Sequence, residues 1–331
     1  MIFATLPEGG RDGSLLIVNR ARTYGLRAGS AAPSLQSLLD DWDRRIGAVQ
    51  ALGGQLESGS RSDALDLRHV RLVAPLPRAY QFLDGSAYPN HMSVIRQARG
   101  AAMPSDFFET PLMYQGTADR IIGPTEPILL LEDSAYGVDI EAEIVVVTAD
   151  VPQSVPVSEA SKYIRLIGLL NDVSLRSLIP PELARGFGFL QGKSANSMAP
   201  FLVTPDEVSD LWDGNLLSGR YECHIRGELI GELDPGIDAV FTYPQLIAHA
   251  SRTRELTAGT IIGAGALANA DRKHGCGCIA ELRAREQLAS GAPKTSYLRF
   301  GDELRLEMFD RHGKSIFGAI HQRLESWPTD V

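Results

Sequence analysis

The pattern of apolar and polar positions changes texture near residue 70. Before that point, the runs 2–6 and 14–18 are strand-like and flank the turn-forming stretch Glu8-Gly9-Gly10-Arg11-Asp12-Gly13, a hairpin pattern. Apolar residues at Leu35, Leu38, Leu39, Trp42, Ile46, Val49 and Leu52 fall on one helical face. They predict a helix over 35–52, stopped by Gly53-Gly54. The polar stretch 57–63 reads as a linker. Beyond residue 70, short β-rich runs alternate with Gly, Pro, Asn and Asp turns, at 128–131, 140–147, 197–203, 221–225, 260–263 and 303–309. Helical patterns are fewer, at 89–99, 158–166 and 243–251. So many short strands predict a large mixed or closed sheet system rather than regular βαβ repeats. The expected organisation is a small N-terminal domain over 1–70 and a larger domain over 71–331, in an α+β, mostly β chain.

Composition narrows the class without changing that picture. A chain of 331 residues suits about two domains and buries a core without staples. Its net charge of −9 makes nucleic acid and anionic membranes poor generic partners, while leaving room for a local basic pocket. Three cysteines, Cys223, Cys276 and Cys278, form no disulfide framework and favour a reducing compartment. The N-terminal stretch lacks the basic and long apolar regions of a signal peptide, and no apolar run is long enough to span a bilayer. A cytoplasmic location is the expectation.

The chemistry concentrates in carboxylates. Within 137–147, GVDIEAEIVVV, Glu141 and Glu143 are separated only by Ala142, so on one strand they share a face. Two like charges on an apolar strand are costly unless a cation neutralises them, and a hard divalent ion prefers carboxylate oxygens. A solvent-facing polar stripe is the bland alternative. Asp172 and Asp84 each follow an apolar approach, a good position for a metal ligand, although turn or helix-cap acids look the same. His91 lies seven positions after Asp84, near a helix start marked by Pro89, and is the side chain best matched to proton transfer near neutral pH. The 186–197 loop, GFGFLQGKSANS, ends a stretch resembling a phosphate loop, but Phe187 stands where that motif needs glycine. Lys193 is better read as an anion or enolate partner, or else as a solvated surface lysine. Cys276-Gly277-Cys278 lacks a second cysteine pair and reads as a turn with small buried thiols rather than a zinc site.

Taken in order, these residues resemble the fumarylacetoacetate hydrolase superfamily. The shared pattern is Asp84 with His91; Tyr114-Gln115-Gly116; Glu141-Ala142-Glu143; Asn171-Asp172-Val173-Ser174 with Arg176; Gly192-Lys193-Ser194; Ser251-Arg252 before TIIGAG at 260–265; and Phe300-Gly301-Asp302-Glu303. The resemblance implies a mixed β-roll catalytic domain behind a small N-terminal domain, and a homodimer. It implies a divalent cation held by Asp84, Glu141, Glu143 and Asp172, Mg²⁺ foremost with Ca²⁺ or Mn²⁺ as alternatives. It also implies that Glu281 is the acid partner of His91. The expected activity is hydrolytic cleavage of a carbon–carbon bond in a fumarylacetoacetate- or acylpyruvate-like 1,3-dicarbonyl acid, as in aromatic-compound breakdown. Some members instead hydrate, decarboxylate or isomerise related 2-oxo acids. In the expected chemistry His91, oriented by Glu281, deprotonates a water. Arg176 and Lys193 stabilise negative charge on the small dioxo acid, and Tyr114 bonds a substrate oxygen.

Three positions depart from the family pattern. Gly85 replaces an aromatic residue, Ala266 a threonine that contacts substrate carboxylate, and Ile179 a glutamine. They bear on the substrate more than on the metal. A catalytically idle, metal-stabilised binding protein is the reading from another class, and it sits poorly with His91, Lys193 and all four acids in place.

Overall fold

The computed structural model describes residues 1–328. The last three residues of the 71–331 segment lie outside the described residues. A mixed, sheet-dominated α+β fold with a small N-terminal domain is observed, and among the described residues no sheet closes into a barrel. The largest sheet has 12 strands. Its path begins with the N-terminal strands Leu65–Asp66, Tyr24–Arg27, Ser14–Val18 and Ile2–Leu6. It continues through Leu202–Val203, Ile164–Asn171, Ala142–Thr148, Ile261–Gly263 and Phe82–Gly85 to Met113–Gly116. The N-terminal hairpin therefore enters the main sheet through Ile2↔Val203 and Phe3↔Leu202. A second sheet of five strands packs Arg220–Ile225 and Glu303–Phe309 at its centre. Among the described residues no helix is long and apolar enough to cross a membrane.

Both faces of the central strands are buried: every residue of Ala142–Thr148, and all but Arg165 in Ile164–Asn171. Burial on both faces explains why these segments read as continuous apolar runs rather than as alternation. It also explains one difference from the sequence reading. The 158–166 stretch predicts a helix, but only Val157–Ala160 and the 3₁₀ turn Ser161–Tyr163 are helical, and the strand starts at Ile164. The polar part of that stretch, 158–163, is helical, and its apolar end from Ile164 onward joins the buried strand.

The helix expected over 35–52 divides in two. Leu35–Asp40 opens with a capping box between Ser34 and Ser37, and Asp41 breaks it with φ −140 and ψ 45. The second helix, Trp42–Glu57, runs straight through Gly53-Gly54 instead of stopping there. Gly53 has a packing role: a Cβ there would lie 3.2 Å from Met1 Cε and 3.5 Å from Ile17 Cγ2, so glycine lets the helix approach the sheet. The expected strand over 197–203 is likewise two short ones, Asn196–Met198 and Leu202–Val203.

Candidate active site and metal centre

Adjacent strands bring three acids together. Asp84 lies inside Phe82–Gly85, opposite Gly263 on one side and Tyr114 on the other. It is a buried strand residue, not the turn or cap acid of the bland reading. Glu143 lies two residues before Val145, which pairs with Gly263. Gly263 thus stands between two acids, and a Cβ there would collide with Asp84 Oδ1 and approach Glu143 Oε2 at 2.6 Å. Only glycine lets the carboxylates meet across that strand. Asp172 directly follows Ile164–Asn171.

Glu141 arrives by a different route from the one its spacing predicts. The 140–147 run is not one strand: Val138–Asp139 pairs with Ser174–Leu175, Ala142–Thr148 pairs with Ile164–Asn171, and Ile140 and Glu141 form the link. Asn171 Oδ1 accepts from Glu141 N at 3.1 Å, and Glu141 O accepts from Asp172 N at 3.1 Å, fixing the link. The outcome is still convergence. All four acids are buried and offer oxygens within 4.8 Å of one another.

Two cations neutralise only half of this cluster. Lys193 is buried, not surface-solvated, and its Nζ donates to Glu141 Oε2 at 2.8 Å, Asp172 Oδ2 at 2.6 Å and Ser174 Oγ at 2.7 Å. Arg176 Nη2 donates to Glu141 Oε1 at 2.8 Å. Burial works against the Glu141 charge, but Lys193 and Arg176 outweigh it and hold this carboxyl well below the usual range. The other half lacks such partners. Burial first, then the neighbouring acids, push Asp84 and Glu143 well above the usual carboxylate range. Both Glu143 oxygens and Asp172 Oδ1 are buried without a hydrogen-bond partner among the described residues. Orphaned buried carboxylate oxygens facing one point are what a hard divalent cation satisfies, so the cluster fits a metal site.

His91 is the third residue of the Pro89–Ala98 helix, whose start Pro89 suits. Its Nδ1 lies 3.2 Å from Glu281 Oε2. Glu281 sits in the first turn of Ile279–Ser290, fully buried, with its other oxygen held by Arg285. The sequence pattern shows no helix there, because its buried residues, Ile279, Ala280, Glu281 and Ala284, cluster at one end. The cysteine at its N-cap and Gly291 at its C-cap, φ 85, were the available signals. All three cysteines are free and buried.

A cavity of about 480 Å³ joins these groups. Its polar lining includes Asp84, Glu141, Tyr114, Arg176, Lys193 and His91; its apolar lining includes Met92, Ile95, Leu112, Leu183 and Phe189. Ala266 and Ile179 also line it. The Tyr114 hydroxyl donates to Asp172 Oδ2, and Lys193 Nζ stands 5.1 Å from the centre of its ring.

Sequence reasoning missed Asp139. Its fully buried carboxylate accepts from Ile140 N at 2.8 Å, Ile279 N at 2.7 Å, Ala280 N at 2.9 Å and Arg176 Nε at 2.7 Å. It therefore ties the start of the helix bearing Glu281 to the arginine that holds Glu141. Asp139→Ala is expected to destabilise the protein by about 3–5 kcal/mol, because Arg176 and two helix N–H groups lose their buried acceptor. Chemical denaturation checks this; a loss below about 1 kcal/mol would remove Asp139 from its anchoring role.

The family model described as "Fumarylacetoacetate (FAA) hydrolase C-terminal" matches residues 81–325, and "Fumarylacetoacetase N-terminal domain 2" matches residues 1–78. Among curated proteins, the chain is 25% identical over 222 residues to oxaloacetate tautomerase fahd2, mitochondrial, of Xenopus laevis, covering 66% of this chain and 64% of the relative. It is 26% identical over 220 residues to 2,4-didehydro-3-deoxy-L-rhamnonate hydrolase of Sphingomonas sp., covering 66% of each. The chain thus spans just under two thirds of these relatives' lengths. Among solved structures, maleylpyruvate hydrolase from Sphingobium sp. SYK-6, in complex with manganese(II) ion and pyruvate, superposes with a TM-score of 0.66. That match is 18% identical and covers 99% of this chain and 100% of the other. Matches to both domain models over nearly the whole chain, together with the shared fold, carry one conclusion: the chain belongs to the fumarylacetoacetate hydrolase superfamily.

Proposed function

We propose that the protein is a divalent-metal-dependent hydrolase that cleaves a carbon–carbon bond in an acylpyruvate-like 2,4-dioxo acid. The observation that carries this reading is that His91, paired with Glu281, lines the same cavity as Lys193 and as Asp84 and Glu141 of the four-carboxylate cluster. Asp84, Glu141, Glu143 and Asp172 would hold the ion, Mg²⁺ being favoured by an all-oxygen donor set. When bound, that ion supplies Lewis-acid polarisation of substrate oxygens. Glu281 holds Nδ1 of His91, leaving Nε2 to take a proton from water. Lys193 offers charge to the negative head of the substrate, and Arg176, with Nε and Nη2 committed to Asp139 and Glu141, keeps Nη1 for an oxyanion. Tyr114 lines the cavity beside the head, its hydroxyl donating to Asp172 Oδ2.

The apolar lining, extended by Ala266 and Ile179, suits an apolar tail. A buried polar tail without a partner binds less well. We expect kcat/KM for acylpyruvates with apolar tails to exceed that for fumarylacetoacetate by about 10-fold or more. Arg96 and Arg99 also line the cavity, so the panel includes a tail with a terminal carboxylate. A clear preference for fumarylacetoacetate would remove Ala266 and Ile179 as selectivity determinants.

The names of the curated relatives favour one second reading, tautomerisation of a 2-oxo acid, which also needs a base but breaks no carbon–carbon bond. Product analysis with Mg²⁺ separates the two. Pyruvate and a carboxylic acid in equal amounts support the hydrolase, whereas faster enol–keto exchange without cleavage supports the tautomerase.

A further inference from the structure

Three donor atoms of unlike chemistry meet behind the wall of the cavity. Cys278 Sγ lies 3.8 Å from His91 Nδ1, which lies 3.2 Å from Glu281 Oε2, and all three atoms fall within 4.8 Å of one another. Of these residues only His91 lines the cavity; Cys278 and Glu281 are fully buried.

A nucleophilic Cys–His–acid arrangement does not explain this placement. There the thiol and the acid occupy opposite ring nitrogens, so that one orients the ring while the other exchanges a proton. Here both face the same nitrogen. Three donor atoms this close together are what a metal ion needs. With metal–nitrogen and metal–oxygen bonds near 2.0–2.1 Å and a metal–sulfur bond near 2.3 Å, a tetrahedral site has ligand–ligand edges of about 3.3–3.6 Å. The observed separations of 3.2 and 3.8 Å bracket that range.

We propose that His91 Nδ1, Cys278 Sγ and Glu281 Oε2 form a second metal site, selective for a borderline-soft divalent ion such as Zn²⁺, and that filling it silences the enzyme. The donor set separates it from the four-carboxylate cluster. Mg²⁺ takes oxygens in octahedral geometry, whereas one nitrogen, one sulfur and one oxygen suit Zn²⁺. The supporting groups are in place. Cys278 caps the Ile279–Ser290 helix by accepting from Glu281 N at 3.4 Å, and Arg285 holds the second oxygen of Glu281. Binding releases the thiol proton to solvent and moves the His91 ring proton from Nδ1 to Nε2, after which thiolate and carboxylate balance the dication. The fourth position is left for water or for a group entering from the cavity.

The silencing follows from the shared nitrogen. An ion on Nδ1 displaces Glu281 as the partner of the ring and leaves the ring proton on Nε2, which then cannot accept a proton from water. This half of the proposal rests on His91 being the base; the binding half does not.

The test uses the full chain with Mg²⁺ in large excess, so that the carboxylate cluster does not compete. Zn²⁺ titrated by equilibrium dialysis should load one equivalent while turnover falls in step. Cys278→Ser keeps an oxygen at the N-cap and should weaken that equivalent by more than about 100-fold, beyond what loss of a supporting contact does. Turnover of the variant should then resist Zn²⁺. Co²⁺ supplies a readout independent of activity: the wild type should show a near-ultraviolet sulfur-to-cobalt charge-transfer band that Cys278→Ser lacks. Zinc binding unchanged in Cys278→Ser, or no sulfur-to-cobalt band in the wild type, overturns the site. A band with turnover unaffected establishes the site and overturns the silencing; whether His91 is the base is then read separately from the turnover of His91→Ala.

Discussion

His91→Ala is expected to lower kcat by about 10²–10⁴-fold while Mg²⁺ affinity stays at the wild-type value. The division of roles behind this result is geometric. His91 comes from a helix, the four acids from strands and their ends, and the one ionic partner of the imidazole among the described residues is Glu281. A positioned base near neutral pH contributes that much to the rate without contributing to ion binding. Glu281→Gln keeps a hydrogen-bond acceptor for Nδ1 but removes the charge, so its loss should be smaller than that of His91→Ala. Steady-state kinetics on the best substrate, paired with calorimetric titration of Mg²⁺, decides the matter. Wild-type turnover in His91→Ala would mean another group activates water, and loss of the ion would make His91 a ligand.

Parts of this site were legible along the chain and parts were not, for physical reasons that differ by residue. Asp84 and Asp172 stood out because an acid beside an apolar strand is locally anomalous, and that anomaly survives without knowledge of partners. Glu141 was found by an argument that does not hold for it. Strand alternation placed it beside Glu143, but the chain breaks at Ile140 and Glu141, and a hydrogen bond to Asn171 aims the side chain instead. Lys193 was ambiguous because a lysine in a glycine-rich loop looks solvated until the strand partner is known; its pairing with Ser174 turns it inward. The His91–Glu281 contact spans 190 positions and came only through family resemblance. Asp139 and Gly263 were invisible as site residues, one because its donors are mostly backbone N–H groups, the other because its contribution is the absence of a side chain. Strands such as Ile2–Leu6, Ser14–Val18 and Ile261–Gly263 were placed within a residue or two, but Tyr24–Arg27, Leu65–Asp66 and Met113–Gly116 were not seen, nor were pairings such as Ile2↔Val203. Alternation says which face is buried, not which strand lies alongside.

Glu143→Gln is expected to stabilise the metal-free protein at pH 8 and at the same time abolish its response to Mg²⁺. Asp84 and Glu143 are pushed well above the ordinary carboxylate range, first by burial and then by each other and their acidic neighbours. In the metal-free protein the folded state therefore keeps protons that the unfolded chain releases above about pH 5. With more protons bound in the folded state, stability falls as pH rises through that window. Glu141 has the opposite shift, but its contribution is lost only as pH falls below the ordinary carboxylate range, so it does not act between pH 5 and 8. A bound dication displaces those protons and satisfies the oxygens left without partners, adding about 2.7 kcal/mol at 100 times its Kd. The rise in Tm on adding Mg²⁺ should accordingly grow from pH 5 to pH 8, reaching about 5 °C or more. Glutamine keeps the shape of Glu143 but removes its charge. That relieves the repulsion at high pH, leaves nothing for the ion to neutralise at that position, and removes turnover. Thermal melts at pH 5 and pH 8, with and without Mg²⁺, check both signs. A Glu143→Gln protein that is less stable than wild type at pH 8 without metal, or that still gains the full Mg²⁺ shift, would mean that the uncompensated charge lies elsewhere in the cluster.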